Sequence, residues 1–188
     1  PTRARMLTGA GVPIEVAAPR VDEAALQESS VAEGLSPRDV ADLLAEAKAA
    51  KLAARFPSQL VLGADQTADL DGALLTKPTT PEAAKAQIAQ LSGRRHVLHS
   101  AAVIFEGGRP VWRHIQSPRL HMRPLSPEYI DDYVDRHWPD LAGSVGGYRI
   151  EGEGARFFTS VTGDFFAVQG LPLLPLLDYL ALRGHIAT

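Results

Sequence analysis

The sequence lacks cysteine and has no large excess of charge of either sign. Without thiols it can form no disulfide framework, thiolate metal site or cysteine nucleophile, and this composition is typical of a cytoplasmic protein. The 19 Lys and Arg residues against 22 Asp and Glu give a formal charge of -3, so the broad cationic surface of a nucleic-acid binder is missing. We therefore expect no nucleic-acid partner.

Long apolar runs are missing as well, so we expect neither a membrane-spanning segment nor a membrane partner. The rest of the composition, with 45% hydrophobic and 22% charged residues, is typical of a globular protein. A chain of 188 residues is long enough to bury a core without disulfides or structural metals. We expect a single domain over residues 1–188.

Helix and strand signals alternate in the first half of the chain. The Ser36-Pro37 pair predicts a helix start, and a helix with an apolar face follows it. The continuous apolar run 60–64 predicts a short strand that is buried on both faces and ends at Asp65. Thr80 begins the next predicted helix, which closes at 92–93.

The second half combines hairpins with helices. The runs 101–105 and 111–115 flank a glycine-containing turn and predict a hairpin. Together the patterns predict an α/β fold with α+β character, in which helices flank a mixed, twisted sheet. The other predicted elements are a strand at 119–123, a helix capped at Ser126, a second hairpin from 157–161 and 165–168, and a final helix at 173–183.

Asp65 is the first candidate for chemistry, because carboxylates at the ends of buried strands often border ligand sites in α/β sheets. Lys77 follows it within a few residues of a predicted Asp71-Gly72 turn. A carboxylate can hold Mg²⁺ or orient water, and an ammonium can neutralise a phosphate, so the pair suits phosphate chemistry. The alternative for Asp65 is a turn or helix-capping role.

Three further charges are less distinctive by themselves. Lys48 lies on the helix side that carries Leu44 and Leu52, where the alternative to a functional ammonium is a snorkelling side chain. Arg3 and Glu23, taken alone, fit solvated surface charges.

Other motifs have weaker support. His96 and His99 have an H-x-x-H spacing, but no third zinc ligand is evident and the segment reads as a strand. The glycines of 143–154 lack the order of a dinucleotide-binding loop. Ser100 has no nucleophile-elbow sequence around it, which argues against a serine hydrolase.

Several short blocks of the sequence match one known family in order and spacing. The blocks are Pro1-Thr2-Arg3, Val21-Asp22-Glu23, 44–49, Gly63-Ala64-Asp65, Lys77-Pro78, Leu91-Ser92-Gly93 with His96, and Gly170-Leu171-Pro172. Over nearly its entire length the chain resembles the Maf family of nucleoside triphosphate pyrophosphatases. Members of that family usually begin with a strand and a phosphate-contacting serine before the first block, so we expect this first strand to be missing here.

The resemblance implies a fold like that of inosine triphosphate pyrophosphatase, with a cleft between two lobes, and a homodimer. It also implies hydrolysis of a nucleoside triphosphate between the α and β phosphates, with Mg²⁺ or Mn²⁺, to a nucleoside monophosphate and pyrophosphate. By resemblance, Asp65 activates water and holds metal, and Glu23 supports metal or water. The resemblance likewise implies that a clamp on the triphosphate consists of Arg3, Lys48 and Lys77.

Differences from the family pattern keep other functions open. Asp65-Gln66 and Glu151 resemble a branch that acts on 7-methyl-GTP, and both Gln66 and Glu151 are candidate substrate-binding residues. Tyr148 and Ile150 instead resemble members that act on dTTP and UTP. A second alternative, a nucleotide-binding regulator of cell division with little turnover, is kept open by departures from the family pattern at Thr2, Arg5 and Thr76.

Overall fold

A six-stranded antiparallel sheet with helices packed around it forms the framework of the protein. The computed structural model describes residues 2–187, and Pro1, where the first family block begins, lies outside them. The strands are β1 (Val61–Leu70), β2 (Ala73–Leu75), β3 (Arg95–Glu106), β4 (Arg109–Gln116), β5 (Arg119–Met122) and β6 (Phe158–Thr162). Their order in the sheet is β2-β1-β3-β5-β6, and β4 pairs with the second half of β3, beyond the part that pairs with β5.

The helices begin where the sequence supplies caps and proline. Ser36 accepts a hydrogen bond from the backbone of Asp39, and Thr80 and Ser126 cap two other helices in the same way. The predicted helix starts at these three positions are therefore confirmed. The helices are α1 (Thr2–Gly9), α2 (Glu23–Ala32), α3 (Pro37–Ala53), α4 (Pro81–Leu91), α5 (Pro127–His137), α6 (Phe165–Val168) and α7 (Leu173–Leu182).

Three packed clusters surround the sheet. One joins α3 to β1 and β3, and another joins α1 and α7 to the opposite face of β3. The largest unites α4 and α5 with β5, β6 and the segment around Tyr148. Between residues 2 and 187, none of the helices combines the length and apolar character that crossing a bilayer requires.

Gly63 determines how closely α3 approaches the sheet. A Cβ atom on Gly63 would lie 2.6 Å from the backbone nitrogen of Ala49, nearer than real Cβ contacts occur. The glycine therefore lets the helix backbone pack directly on β1, which brings the functional side chains of the two elements together.

The α/β class with helices flanking a sheet is confirmed, but two details of the sheet differ from expectation. Each strand pair within residues 2–187 is antiparallel, so the sheet is not mixed. The strand through Asp65 continues to Leu70, because its pairing with β3 extends to Asp69. Asp65 thus lies in mid-strand and not at a strand end.

The predicted second hairpin is wrong in its second half. Residues 165–168 form a helical turn because the Asp164 side chain caps it, accepting a hydrogen bond from Ala167 at 2.7 Å. The helices α1 and α2 were not expected from the sequence. Each buries a single residue, Leu7 in α1 and Ser30 in α2, so no broad apolar face marks either helix in the sequence.

Candidate active site

A cleft of about 260 Å³ brings together charged residues from distant parts of the chain. One wall carries Arg3 from α1 and Asp65 from β1, and Lys77 follows β2. The other wall is the segment between α5 and β6, which contributes Tyr148 and Glu151. The charges of the first wall suit an anionic ligand, and the ring of Tyr148 adds an apolar surface.

Lys48 and Asp65 form the buried centre of the charged cluster. The Lys48 Nζ lies 2.6 Å from Asp65 Oδ1, and the two side chains are only 11% and 4% exposed. The helical spacing of Leu44, Lys48 and Leu52 places all three in the buried face of α3, which then directs the ammonium toward β1. The snorkelling alternative for Lys48 is therefore wrong.

Glu23 extends this cluster toward solvent. Its Oε1 lies 2.9 Å from the Lys48 Nζ, and its Oε2 lies 3.4 Å from the Lys77 Nζ. Burial alone would raise the pKa of Glu23, but hydrogen bonds and charge from Lys48, with a smaller effect of Lys77, lower that pKa below its ordinary value. The Glu23 carboxylate is thus held ionised between two ammonium groups.

Arg3 completes the cationic side of the cleft. Its Nε donates a hydrogen bond to the carbonyl oxygen of Gly170 at 2.7 Å, so the segment before α7 orients the guanidinium. Burial lowers the pKa of Arg3, while the charges of Asp65 and Glu23 act in the opposite direction. Gly170 has φ of +99°, and a Cβ there would lie 3.3 Å from the Arg3 Nε. Glycine at this position therefore permits both the backbone turn and the close contact.

Gln66 lies on the opposite face of β1 from Asp65 and borders the cleft. Its amide nitrogen donates to the Ser100 hydroxyl at 2.9 Å and to the carbonyl oxygens of Ala167 and Val168 at 3.0 Å. Ser100 itself donates to the Ala167 carbonyl at 2.6 Å. Since these contacts occupy the amide nitrogen, Gln66 would present its oxygen, an acceptor, to a ligand.

Glu151 borders the same cleft from the other wall, but it is already paired. Arg149 Nη2 lies 3.2 Å from Glu151 Oε1, and both side chains are roughly one-third exposed. The guanidinium offsets part of the negative charge that Glu151 would otherwise present to a ligand.

His96 and His99 do not form a metal site. They lie three positions apart on β3, so they project from opposite faces of the sheet. His96 Nε2 is 2.6 Å from the Tyr148 hydroxyl, whereas the ring of His99 contacts Ser117 and Asp69. Among residues 2–187, no group of three or more His, Asp and Glu side chains is arranged to hold a metal by itself. The zinc hydrolase alternative is therefore wrong.

Residue patterns alone gave no sign of the second wall of the cleft, and only the family resemblance singled out Tyr148, Ile150 and Glu151. Val145, which also lines this wall, was missed, because its glycine-containing segment has no helix or strand pattern. Ser100, which the sequence argues against as a nucleophile, is fully buried and accepts a hydrogen bond from Gln66. A signal for the loop was present in Gly146 and Gly147, whose φ angles of +89° and +72° few other residues adopt.

The fold and site define an α/β protein with a cleft whose basic residues, Arg3 and Lys77, suit an anionic ligand. Residues 1–182 match the family model described as Maf-like protein, and the chain belongs to this family. The resemblance based on the short sequence blocks is thereby confirmed.

Close relatives cover almost the full chain. A protein of Ruegeria pomeroyi named nucleoside triphosphate pyrophosphatase is 51% identical over 186 residues, covering 99% of this chain and 94% of its own. A protein of Caulobacter vibrioides with the same name is 45% identical, with 98% and 92% coverage. A third, from Hyphomonas neptunium, is 44% identical, with 100% and 94% coverage, and also carries this name.

Proposed function

We propose that this Maf-like protein is a nucleoside triphosphate pyrophosphatase, a hydrolase acting on acid anhydrides. The observation that carries the proposal is the cluster in which Lys48 contacts both Asp65 and Glu23 beside a cleft lined by Arg3 and Lys77. The names of the relatives support the same activity.

The reaction requires a nucleophilic water and a pyrophosphate leaving group. The water oxygen forms a bond to the α-phosphorus, and the bond from this phosphorus to the bridging oxygen breaks. Pyrophosphate leaves with the electron pair, and the nucleoside monophosphate remains. Asp65 accepts the proton of the attacking water through the carboxylate oxygen that does not contact Lys48.

The cations act on the triphosphate itself. Arg3 and Lys77 border the cleft and offset the charge of the phosphates, which grows on the leaving group as the bond breaks. Lys48 orients Asp65, and because its ammonium contacts only one carboxylate oxygen, the other oxygen is left to face the attacking water. Glu23 connects Lys48 to Lys77 and thereby orders both ammonium groups.

Asp65 and Glu23 also fit a divalent cation such as Mg²⁺ or Mn²⁺. Two carboxylates that contact one ammonium lie close together, and Mg²⁺ is commonly bound by one or two carboxylates with substrate phosphates and water. When bound, the metal would offset phosphate charge and lower the pKa of a bound water.

Within this activity we propose 7-methyl-GTP as the substrate, because Gln66 and Glu151 border one cleft. The Glu151 carboxylate would favour the cationic methylated base, although its pairing with Arg149 weakens this attraction. The alternative, dTTP or UTP, is favoured by the uncharged wall at Tyr148 and Ile150.

A triphosphate panel tests the activity and the substrate together. Purified protein with Mg²⁺ or Mn²⁺ should release pyrophosphate. In a panel of 7-methyl-GTP, GTP, dTTP and UTP, the kcat/KM for 7-methyl-GTP should be the highest. Glu151→Gln should lower the ratio of kcat/KM for 7-methyl-GTP to that for UTP by about fivefold, as expected for loss of a partly screened charge. Nucleotide binding without pyrophosphate release from any member of the panel would instead support a regulator.

A further inference from the structure

The two walls of the cleft meet through one glutamine that does not itself border the cleft. Gln87 lies on α4 and is half-buried. Its Nε2 donates a hydrogen bond to the carbonyl oxygen of Thr76 at 2.8 Å, and its Oε1 accepts one from the backbone nitrogen of Gly146 at 2.8 Å. Because one partner is an acceptor and the other a donor, a single orientation of the amide satisfies both.

Each of these backbone contacts lies next to a cleft residue. Thr76 directly precedes Lys77, the exposed ammonium on the phosphate side. Gly146 lies two positions before Tyr148, on the opposite wall with Glu151. Gln87 therefore ties the backbone of the Lys77 segment to the backbone of the Tyr148 segment.

Helix α4, which carries Gln87, is held in place by packing against the second wall and by ion pairs to α5. A Cβ atom on Gly147 would lie 3.2 Å from the carbonyl oxygen of Ala84 and 3.3 Å from a side-chain carbon of Ile88. The second wall thus packs directly on α4 next to Gln87. Lys85 of α4 also pairs with Asp131 and Asp135 of α5, at 3.3 and 2.9 Å.

We propose that Gln87 is a positioning residue that sets the distance between the phosphate-binding and base-binding walls of the cleft. The proposal rests on the proposed triphosphate hydrolysis. A nucleoside triphosphate spans both walls, so its binding depends on their spacing. Pyrophosphate contacts only the phosphate side and a nucleoside monophosphate chiefly the other, so their binding is less sensitive to it.

Three substitutions separate the two hydrogen bonds from packing. Gln87→Met keeps much of the side-chain volume but removes both bonds. Gln87→Glu keeps the acceptor for Gly146 and places a carboxylate oxygen against the Thr76 carbonyl. Gln90→Ala is the matched control, because Gln90 is an exposed glutamine of the same helix whose side chain forms no hydrogen bond to residues 2–187.

The measurements are KM and kcat for the best substrate of the panel, inhibition constants for pyrophosphate and the matching monophosphate, and the thermal midpoint. For Gln87→Met we expect KM to rise about tenfold, from loss of two hydrogen bonds that set the geometry, while both inhibition constants change by less than about twofold. Gln87→Glu should raise KM as well, and Gln90→Ala should match the wild type. If Gln87 only stabilised the fold, its replacement would lower the thermal midpoint and the fraction of active protein without raising KM.

The proposal is overturned if KM of Gln87→Met stays within about twofold of the wild type, a change too small for the loss of two hydrogen bonds. It is also overturned if the inhibition constants rise as much as KM, since this would show damage to one wall and not altered spacing. Wild-type protein that releases no pyrophosphate would contradict the proposed function. In that case, nucleotide binding by wild type and Gln87→Met still tests Gln87, and equal dissociation constants would overturn its role.

Discussion

The ammonium nitrogen of Lys48 lies 2.6 Å from Oδ1 of Asp65 in a part of the protein where neither side chain is more than 11% exposed. Little solvent is available to either charge, so each depends on the other for compensation. Glu23, which is 37% exposed, shares the same ammonium but retains access to water. Substitutions of Lys48 or Asp65 should therefore affect both the stability of the fold and the proposed hydrolysis.

Replacing Lys48 by methionine should destabilise the protein by about 3 kcal/mol, because the Asp65 carboxylate then remains buried without its partner. Urea unfolding measures this change. The double variant Lys48→Met with Asp65→Asn should recover part of the loss, since the uncompensated charge is gone. Lys51→Met, at an exposed position of the same helix, serves as the control. Equal unfolding free energies for both lysine variants would contradict the prediction.

Asp65→Asn should reduce kcat for pyrophosphate release by about 100-fold or more, because an amide cannot accept the proton of the attacking water. The fold should persist, since an amide oxygen can still accept the Lys48 hydrogen bond. Asp71→Asn is a suitable control, because Asp71 lies in the exposed β1–β2 turn at φ of 53°, a conformation that asparagine tolerates. If kcat of Asp65→Asn remained near that of the control, Asp65 would not be the base.

Substituting alanine for Gly63 should destabilise the protein by at least about 3 kcal/mol, since the new methyl group would meet the backbone of α3 at Ala49. Outward movement of α3 would also displace Lys48, so pyrophosphate release should fall with stability. Gly9→Ala provides the comparison, as its Cβ would meet nothing within 4 Å. Chemical denaturation measures the unfolding free energy of both variants. A difference below about 1 kcal/mol between them would show that α3 accommodates the methyl group without strain.

Acid should weaken the fold through His96. Burial lowers the pKa of His96 from 6.5 to about 4, so the folded protein holds the ring neutral while the unfolded chain takes up a proton. Stability should therefore decrease as the pH falls from about 6.5 to about 4, by up to about 3 kcal/mol from this group, and level off below. NMR titration of the ring tests the pKa directly.

The matched control for this pH dependence is His185, an exposed histidine. His96→Gln should reduce the slope of unfolding free energy against pH between 6.5 and 4, whereas His185→Gln should leave it unchanged. A His96 resonance that titrates near 6.5 in the folded protein would disprove the prediction.

Much of the local structure could be predicted because its causes lie close together in sequence. Ser36, Thr80 and Ser126 begin helices through hydrogen bonds to residues three positions ahead. The Asp71-Gly72 turn likewise closes a hairpin, with Asp69 accepting a hydrogen bond from Gly72 at 2.6 Å. Residues 165–168 were misassigned because their aromatic content favours a strand, whereas a single cap at Asp164 selects a helical turn.

The sequence by itself determined the charges available for phosphate chemistry, the order of the family blocks and the exclusion of thiolate chemistry. Only the tertiary structure decided which of those charges meet. Packing of α3 on Gly63 buries Lys48 against Asp65, and the same cluster holds Glu23 ionised. Gln87 on α4 likewise joins the two cleft walls through its hydrogen bonds to Thr76 and Gly146. These relationships depend on long-range packing, whose energies no local pattern encodes.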